Sequence, residues 1–202
     1  MPGIEPDSIA GNYLLDGMGY VVSEKEGRLF TRITGQPELE IFPEETDRFF
    51  YKAVAAQITF VRGAKGAVSG LVLHQNGYDL PASRVDGSVV KTIEDAMADR
   101  IKHKTPLPDS EALLRRIIAE HQRGEPDFER MKPPLAALAR EQSAMIKADL
   151  EKIGLLKSVS FKGVGPGGGD VHDVRFENGT MEWGFALAAD GKFSGIYLQR
   201  FP

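Results

Sequence analysis

The chain has 202 residues, 42% hydrophobic and 27% charged, with a formal net charge of −4. That is the balance of an ordinary globular protein with room for one large or two small domains, which excludes extended disorder. The lack of cysteine removes disulfides, thiolate catalysis and zinc knuckles, and a mildly acidic chain without an arginine-rich block offers no global attraction to nucleic acid or membrane.

The opening MPGIEPDSIAGNY has neither the basic n-region nor the apolar h-region of a signal peptide, and no apolar run approaches the roughly 20 residues that span a bilayer. The chain as it stands is expected to be soluble. Up to about Val85 it reads as short strands: NYLL, GYVVS, RLFTRIT, ELEIF, RFFYK, AQITFVR, VSGLVL and YDLPA. Turn signals at Asp16-Gly17, Glu26-Gly27, Gly35-Gln36, Arg62-Gly63, Lys65-Gly66 and Asn76-Gly77 separate them, because glycine supplies the positive φ that tight hairpins demand. Alternation puts Leu29, Thr31 and Ile33 on one face, and pairs Leu39 with Ile41 and Ile58 with Phe60. About eight such strands make a small antiparallel barrel or half-barrel, either filled by side chains or holding one small ligand.

Helical periodicity follows. Thr92-x-x-Asp95 matches a capping box ahead of Ile93, Met97 and Ile101, and Ser110 is placed to cap a helix whose stripe is Leu113, Leu114, Ile117, Ile118 and His121, ending at Gly124. Pro133-Pro134 starts a longer helix with Leu135, Leu138, Gln142, Met145, Ile146, Leu150 and Ile153, stopped by Gly154. Four strand-like runs close the chain, KSVSFKGV, DVHDVRFE, TMEWGFAL and FSGIYLQ. Short hairpins force them antiparallel, and the helices need their face as a partner surface. The expected fold is therefore all-β plus α+β: a barrel-like domain over 1–85, a helical linker over 86–108, and helices packed on a four-stranded antiparallel sheet over 109–202.

The stretch GVGPGGGDVHDV carries Gly163, Gly165 and Gly168 at dinucleotide-loop spacing. Strand sequence follows instead of a helix, so no helix dipole faces a phosphate, and Pro166 lacks an N–H; a hairpin connection is expected. Beyond it stand Asp170, His172 and Asp173. His172 shares the inner face with Val174 and Phe176, while Asp173 points away with Arg175 and Glu177, so Asp173 cannot orient that ring. Ser88-Val-Val-Lys91 matches the S-x-x-K of penicillin-recognising hydrolases, without its S-D-N and K-T-G companions. His74, His103 and His121 are scattered, so neither a metal nor a cofactor is indicated. Trp183, sharing a face with Met181, Phe185 and Leu187, has core packing as its default role. If the sheet curls away from the helices at one end, His172 and Trp183 line the opening; they are the candidate ligand-binding pair.

Two passages carry a family resemblance. GNYLL, EGRLFTRITGQPELEIFPEETDRFF and QITFVRGAKGAVSGLVLHQNG resemble the small lipocalin-like β domain that follows the catalytic domain of serine β-lactamase-like hydrolases. KSVSFKGVGPGGGDVHDVRFENGTMEWGFALAADGKFSGIYLQRFP resembles the companion α+β domain, a cone of the cystatin or nuclear-transport-factor kind. The resemblance carries over no catalytic residue, and it implies a bacterial periplasmic or secreted setting. It also implies an aromatic such as tyrosine where this chain has His172. The leading expectation is a non-catalytic accessory protein that binds a small apolar ligand or a protein partner such as a serine hydrolase domain, with neither nucleic acid nor membrane as partner. The alternatives are an enzyme using a pocket in the α+β cone for acid/base chemistry, and a structural or regulatory partner of a β-lactamase-like hydrolase.

Overall fold

A computed structural model describes residues 6–200. Part of the opening stretch, residues 1–5, and the final residues 201–202 lie outside the described residues. The chain divides into two compact units, Met1–Met97 and Ala98–Pro202.

After a short helix α1 (Pro6–Ile9), the first unit is a closed antiparallel barrel of β1 (Gly11–Leu15), β2 (Met18–Lys25), β3 (Arg28–Ile33), β4 (Leu39–Glu45), β5 (Arg48–Tyr51), β6 (Ala56–Arg62), β7 (Val68–Gln75) and β8 (Tyr78–Val85). Each strand pairs with the next, and β1 pairs with β8 to close the ring. The sequence turns do this work: at Asp16-Gly17, Glu26-Gly27 and Asn76-Gly77 both central residues have positive φ, the geometry whose twist matches the flanking strands. The β4–β5 hairpin uses Asp47 at φ 61 instead, a turn without glycine that the dipeptide signals do not reveal.

The alternating positions point inward, and they fill the lumen. Tyr13, Tyr20, Phe49, Ile58, Phe60 and Leu71 are all buried. Phe49 meets Phe60 edge to face at 5.6 Å, a geometry that adds about 0.5–1.5 kcal/mol beyond area burial. The Tyr51 hydroxyl bonds the Tyr20 hydroxyl and Thr31 Oγ1 (2.8 Å), so the polar atoms inside the barrel satisfy one another. Tyr13 donates its hydroxyl to the Ile9 carbonyl at 2.6 Å, tying α1 to the barrel. Of the two alternatives for a small barrel, this one is filled by its own side chains.

Helix α2 (Gly87–His103) spans most of the stretch 86–108, and the division between units falls inside it. It starts five residues before the Thr92 box because Asp86 Oδ1 accepts the Ser88 N–H at 2.8 Å. Thr92 bonds the Ser88 carbonyl and Asp95 pairs with Lys91, so neither caps the helix. In the second unit, α3 (Ser110–Arg123) and α4 (Pro133–Ile153) lie on the sheet formed by β9 (Leu156–Val164), β10 (Asp170–Phe176), β11 (Gly179–Leu187) and β12 (Phe193–Arg200), in the order β12-β11-β10-β9. Leu114, Ile117 and Ile118 of α3 meet Val174, Phe176, Met181, Trp183 and Phe185 in one core.

Of the expected α4 stripe, Ile146, Leu150 and Ile153 are buried, while Leu138 and Met145 are not. Ala136, Ala139, Ile146, Leu150 and Ile153 face the core, whereas Leu138 is 48% and Met145 59% exposed. The short alanine side chains occupy the buried face of the first turns, which leaves the larger apolar residues beside them on the rim. Among the described residues, no helix is long and apolar enough to cross a membrane.

Candidate functional site

Two of the polar residues singled out in the sequence, Asp170 and His172, meet Ser110 at the start of β10. The glycine loop before it is a tight β9–β10 connection: Gly165 N–H bonds the Gly169 carbonyl at 2.8 Å and Gly168 N–H the Gly165 carbonyl at 2.9 Å. Gly168 has φ 80, and a Cβ on Gly169 would lie 2.9 Å from the Phe185 carbonyl oxygen, so both positions need glycine. Arg100 donates to the Gly168 carbonyl at 3.0 Å and to Asp170 Oδ1 at 2.6 Å. The loop is held from α2 by the Arg100 guanidinium.

Asp170 is fully buried and accepts three donors: Arg100 on one oxygen, and the Leu107 N–H (2.8 Å) and the Ser110 hydroxyl on the other. Ser110 Oγ also lies 3.1 Å from His172 Nε2. Ser110 is therefore no helix cap. Asp109 takes the position before α3 in a left-handed conformation, while the serine hydroxyl turns to the carboxylate. The string Asp170, Ser110, His172 contains the residue types of a hydrolytic triad in the wrong proton order. A carboxylate only accepts, so the single Ser110 proton goes to Asp170, and the serine oxygen must accept from His172 Nε2–H. That leaves Nδ1 as the bare ring nitrogen, and among the described residues no hydrogen-bond partner reaches it. A base that donates to the hydroxyl cannot take its proton, so the string is an anchor tying α2, α3 and β10 together.

His172 and Trp183 are brought together as direct cross-strand partners, and both are fully enclosed. His172 lies between Phe161 (5.5 Å, edge-on) and Phe185 (5.9 Å, stacked). Trp183 meets His121 edge-on at 6.1 Å, and its Nε1 has no hydrogen-bond partner among the described residues. Neither lines the two concavities described below. Asp173 points outward to Lys162 (3.4 Å), as alternation requires. Ser88 is exposed, and Lys91 turns to Asp95 at 2.7 Å. Among the described residues no group of three His, Asp or Glu side chains is arranged to hold a metal ion.

Burial lowers the His172 pKa below the ordinary histidine value, against the opposing pull of Asp170 and Glu111. The folded state thus keeps a neutral ring that the unfolded chain protonates near pH 6.5. The stability this contributes is complete above that pH and is lost as pH falls toward the depressed folded value. Denaturant titrations of the wild type and His172→Phe, at pH about 7.5 and about 5, are expected to show the variant gaining on the wild type at the lower pH. Equal pH responses would mean that the ring is not held neutral.

The concavities among the described residues include a groove and a trough. Between α4 and β12, the edge strand of its sheet, runs a groove of about 220 Å³ lined by His121, Leu135, Leu138, Gln142, Ile196 and Tyr197. On the barrel, a wider trough of about 610 Å³ lies among Glu44, Phe50, Gln57, His74, Tyr78 and Asp79. Arg100, Ser110 and Asp170 are the polar residues whose joint role sequence reasoning missed. One signal was present: Asp170 lies two residues from His172 and so shares its face.

A closed barrel followed by a helix-on-sheet unit defines the class as all-β plus α+β. Among curated proteins, the chain is 37% identical over 75 residues to penicillin-binding protein 4* of Bacillus subtilis (strain 168). That stretch is 37% of this chain and only 16% of the Bacillus protein. No protein-family model matches the chain, and no solved structure matches it.

Proposed function

We propose that this chain is a non-catalytic accessory protein of the β-lactamase-related serine hydrolases, acting by binding rather than by bond cleavage. The observation that carries the reading is the partial similarity to a penicillin-binding protein, confined to 16% of that protein's length. The serine chemistry belongs, on this reading, to a catalytic part that the matched stretch does not represent. The proton order at Ser110 and His172 supports it, since this buried serine–histidine contact is inverted for nucleophilic attack. So does Lys91, which is engaged with Asp95 and not with Ser88.

The test is incubation with a fluorescent penicillin, followed by intact-protein and peptide mass spectrometry. The expected result is no adduct on Ser88 or Ser110. A penicilloyl adduct on either serine, removed by Ser88→Ala or Ser110→Ala, would replace the accessory reading with a catalytic one.

A further inference from the structure

We propose that the barrel trough is a binding site for a neutral saccharide. This goes beyond the accessory reading and stands whether or not a hydrolase partner exists. The trough's room, about 610 Å³, falls within the ~300–1,000 Å³ of small-ligand sites. Its wall is built by β4 to β8, with the rings of Phe50 and Tyr78 set among Glu44, Gln57, His74 and Asp79.

The polar wall is organised before any ligand arrives. Gln57 Nε2 donates to Glu44 Oε2 at 3.0 Å, while Gln57 Oε1 accepts from Arg48 at 2.7 Å. Asp79 Oδ1 accepts from His74 Nδ1 at 2.6 Å, and His74 Nε2 meets Thr59 Oγ1 at 2.9 Å. These strings fix the amide, the imidazole and the carboxylates in orientation, which lowers the ordering cost of binding.

Charge decides the ligand class. Glu44 is met by Arg48 at 3.2 Å, and Asp79, whose carboxylate accepts from His74 Nδ1, is 76% exposed and keeps its charge hydrated, so the wall holds no desolvated, unpartnered charge to capture an ion. A purely apolar ligand fails for the opposite reason, because it would strip water from carboxylates and an amide without replacing their hydrogen bonds. Each carboxylate still has acceptor capacity beyond its present bonds. A sugar ring supplies what is missing, an apolar C–H face for the aromatic rings and hydroxyls that both donate and accept.

The test titrates maltotriose, cellotriose and chitotriose, each up to millimolar concentration, into the isotopically labelled full chain, followed by backbone amide NMR. At least one is expected to give saturable shifts centred on Phe50, Gln57, His74 and Tyr78. Gln57→Ala and Tyr78→Ala should each weaken it about fivefold or more. Asp79→Asn, at a side chain that is 76% exposed, preserves the fold and should weaken binding in the same direction. Loss of binding in the variants with a folded, dispersed spectrum supports the site. No saturable shift with any of the three sugars, shifts centred elsewhere, unchanged affinity in Asp79→Asn, or larger trough shifts with tetramethylammonium than with the sugars would each overturn it.

Discussion

Asp170→Ala is expected to destabilise the second unit by about 3 kcal/mol, the lower end of the ~3–5 kcal/mol seen when one partner of a buried ion pair is removed. The carboxylate is fully buried and satisfies a guanidinium, a backbone N–H and a hydroxyl at once. Its loss leaves the buried Ser110 hydroxyl and the partly buried Leu107 N–H without their acceptor, at a cost of up to about 1–3 kcal/mol for a donor left buried and unpaired. These costs overlap and do not add. The lower end applies because the Arg100 side chain is 26% exposed, so part of its charge is still solvated after the substitution. Asp170→Asn keeps one acceptor and sets an NH₂ against a donor, which places it between the wild type and the alanine variant. Trp183, the only tryptophan in the chain and fully buried in this unit, provides the fluorescence signal for denaturant unfolding. A loss below about 1 kcal/mol for Asp170→Ala, the net worth of an ordinary single hydrogen bond, would show that the cluster is not the anchor of this unit.

The barrel was legible because its information is local. Strand alternation and paired positive-φ turns such as Asn76-Gly77 act over a few residues, and they place all eight strands. The turn at Asp47 and the bend over residues 52–55 between β5 and β6 have no glycine to announce them. The filled lumen was not legible, since whether Tyr20, Tyr51 and Thr31 meet depends on closure of strands that are distant in sequence. The same limit explains the polar anchor. Alternation set His172 on the inner face, but the Ser110–Asp170 bond spans 60 residues, and Ser110 met the local criteria for a cap. Local rules identify the residue type a helix start prefers; they do not say when a buried carboxylate outbids the helix for the hydroxyl. In α4 the expected Ile146, Leu150 and Ile153 are buried, while Leu138 and Met145 are displaced from the buried face; Ala136 and Ala139 count weakly as apolar residues yet face the core.

Trp183 separates a packing role from a binding role most directly. Trp183→Ala is expected to cost about 3–5 kcal/mol, the range for deleting a large buried aromatic side chain, because the ring is fully enclosed between the sheet and α3. Trp183→Phe should cost less than half of that. The indole Nε1–H has no hydrogen-bond partner among the described residues, so phenylalanine removes a desolvated donor that makes no compensating bond, while keeping much of the ring and its edge-on packing against His121. Scanning calorimetry of the three proteins measures both differences, independently of tryptophan fluorescence. Near-equal losses for Phe and Ala would mean that the indole N–H is bonded in the folded protein, as it would be to a water or ligand reaching it. A negligible loss for Ala would mean that the ring borders open space, and only then would Trp183 belong with His172 to a ligand pocket instead of the core.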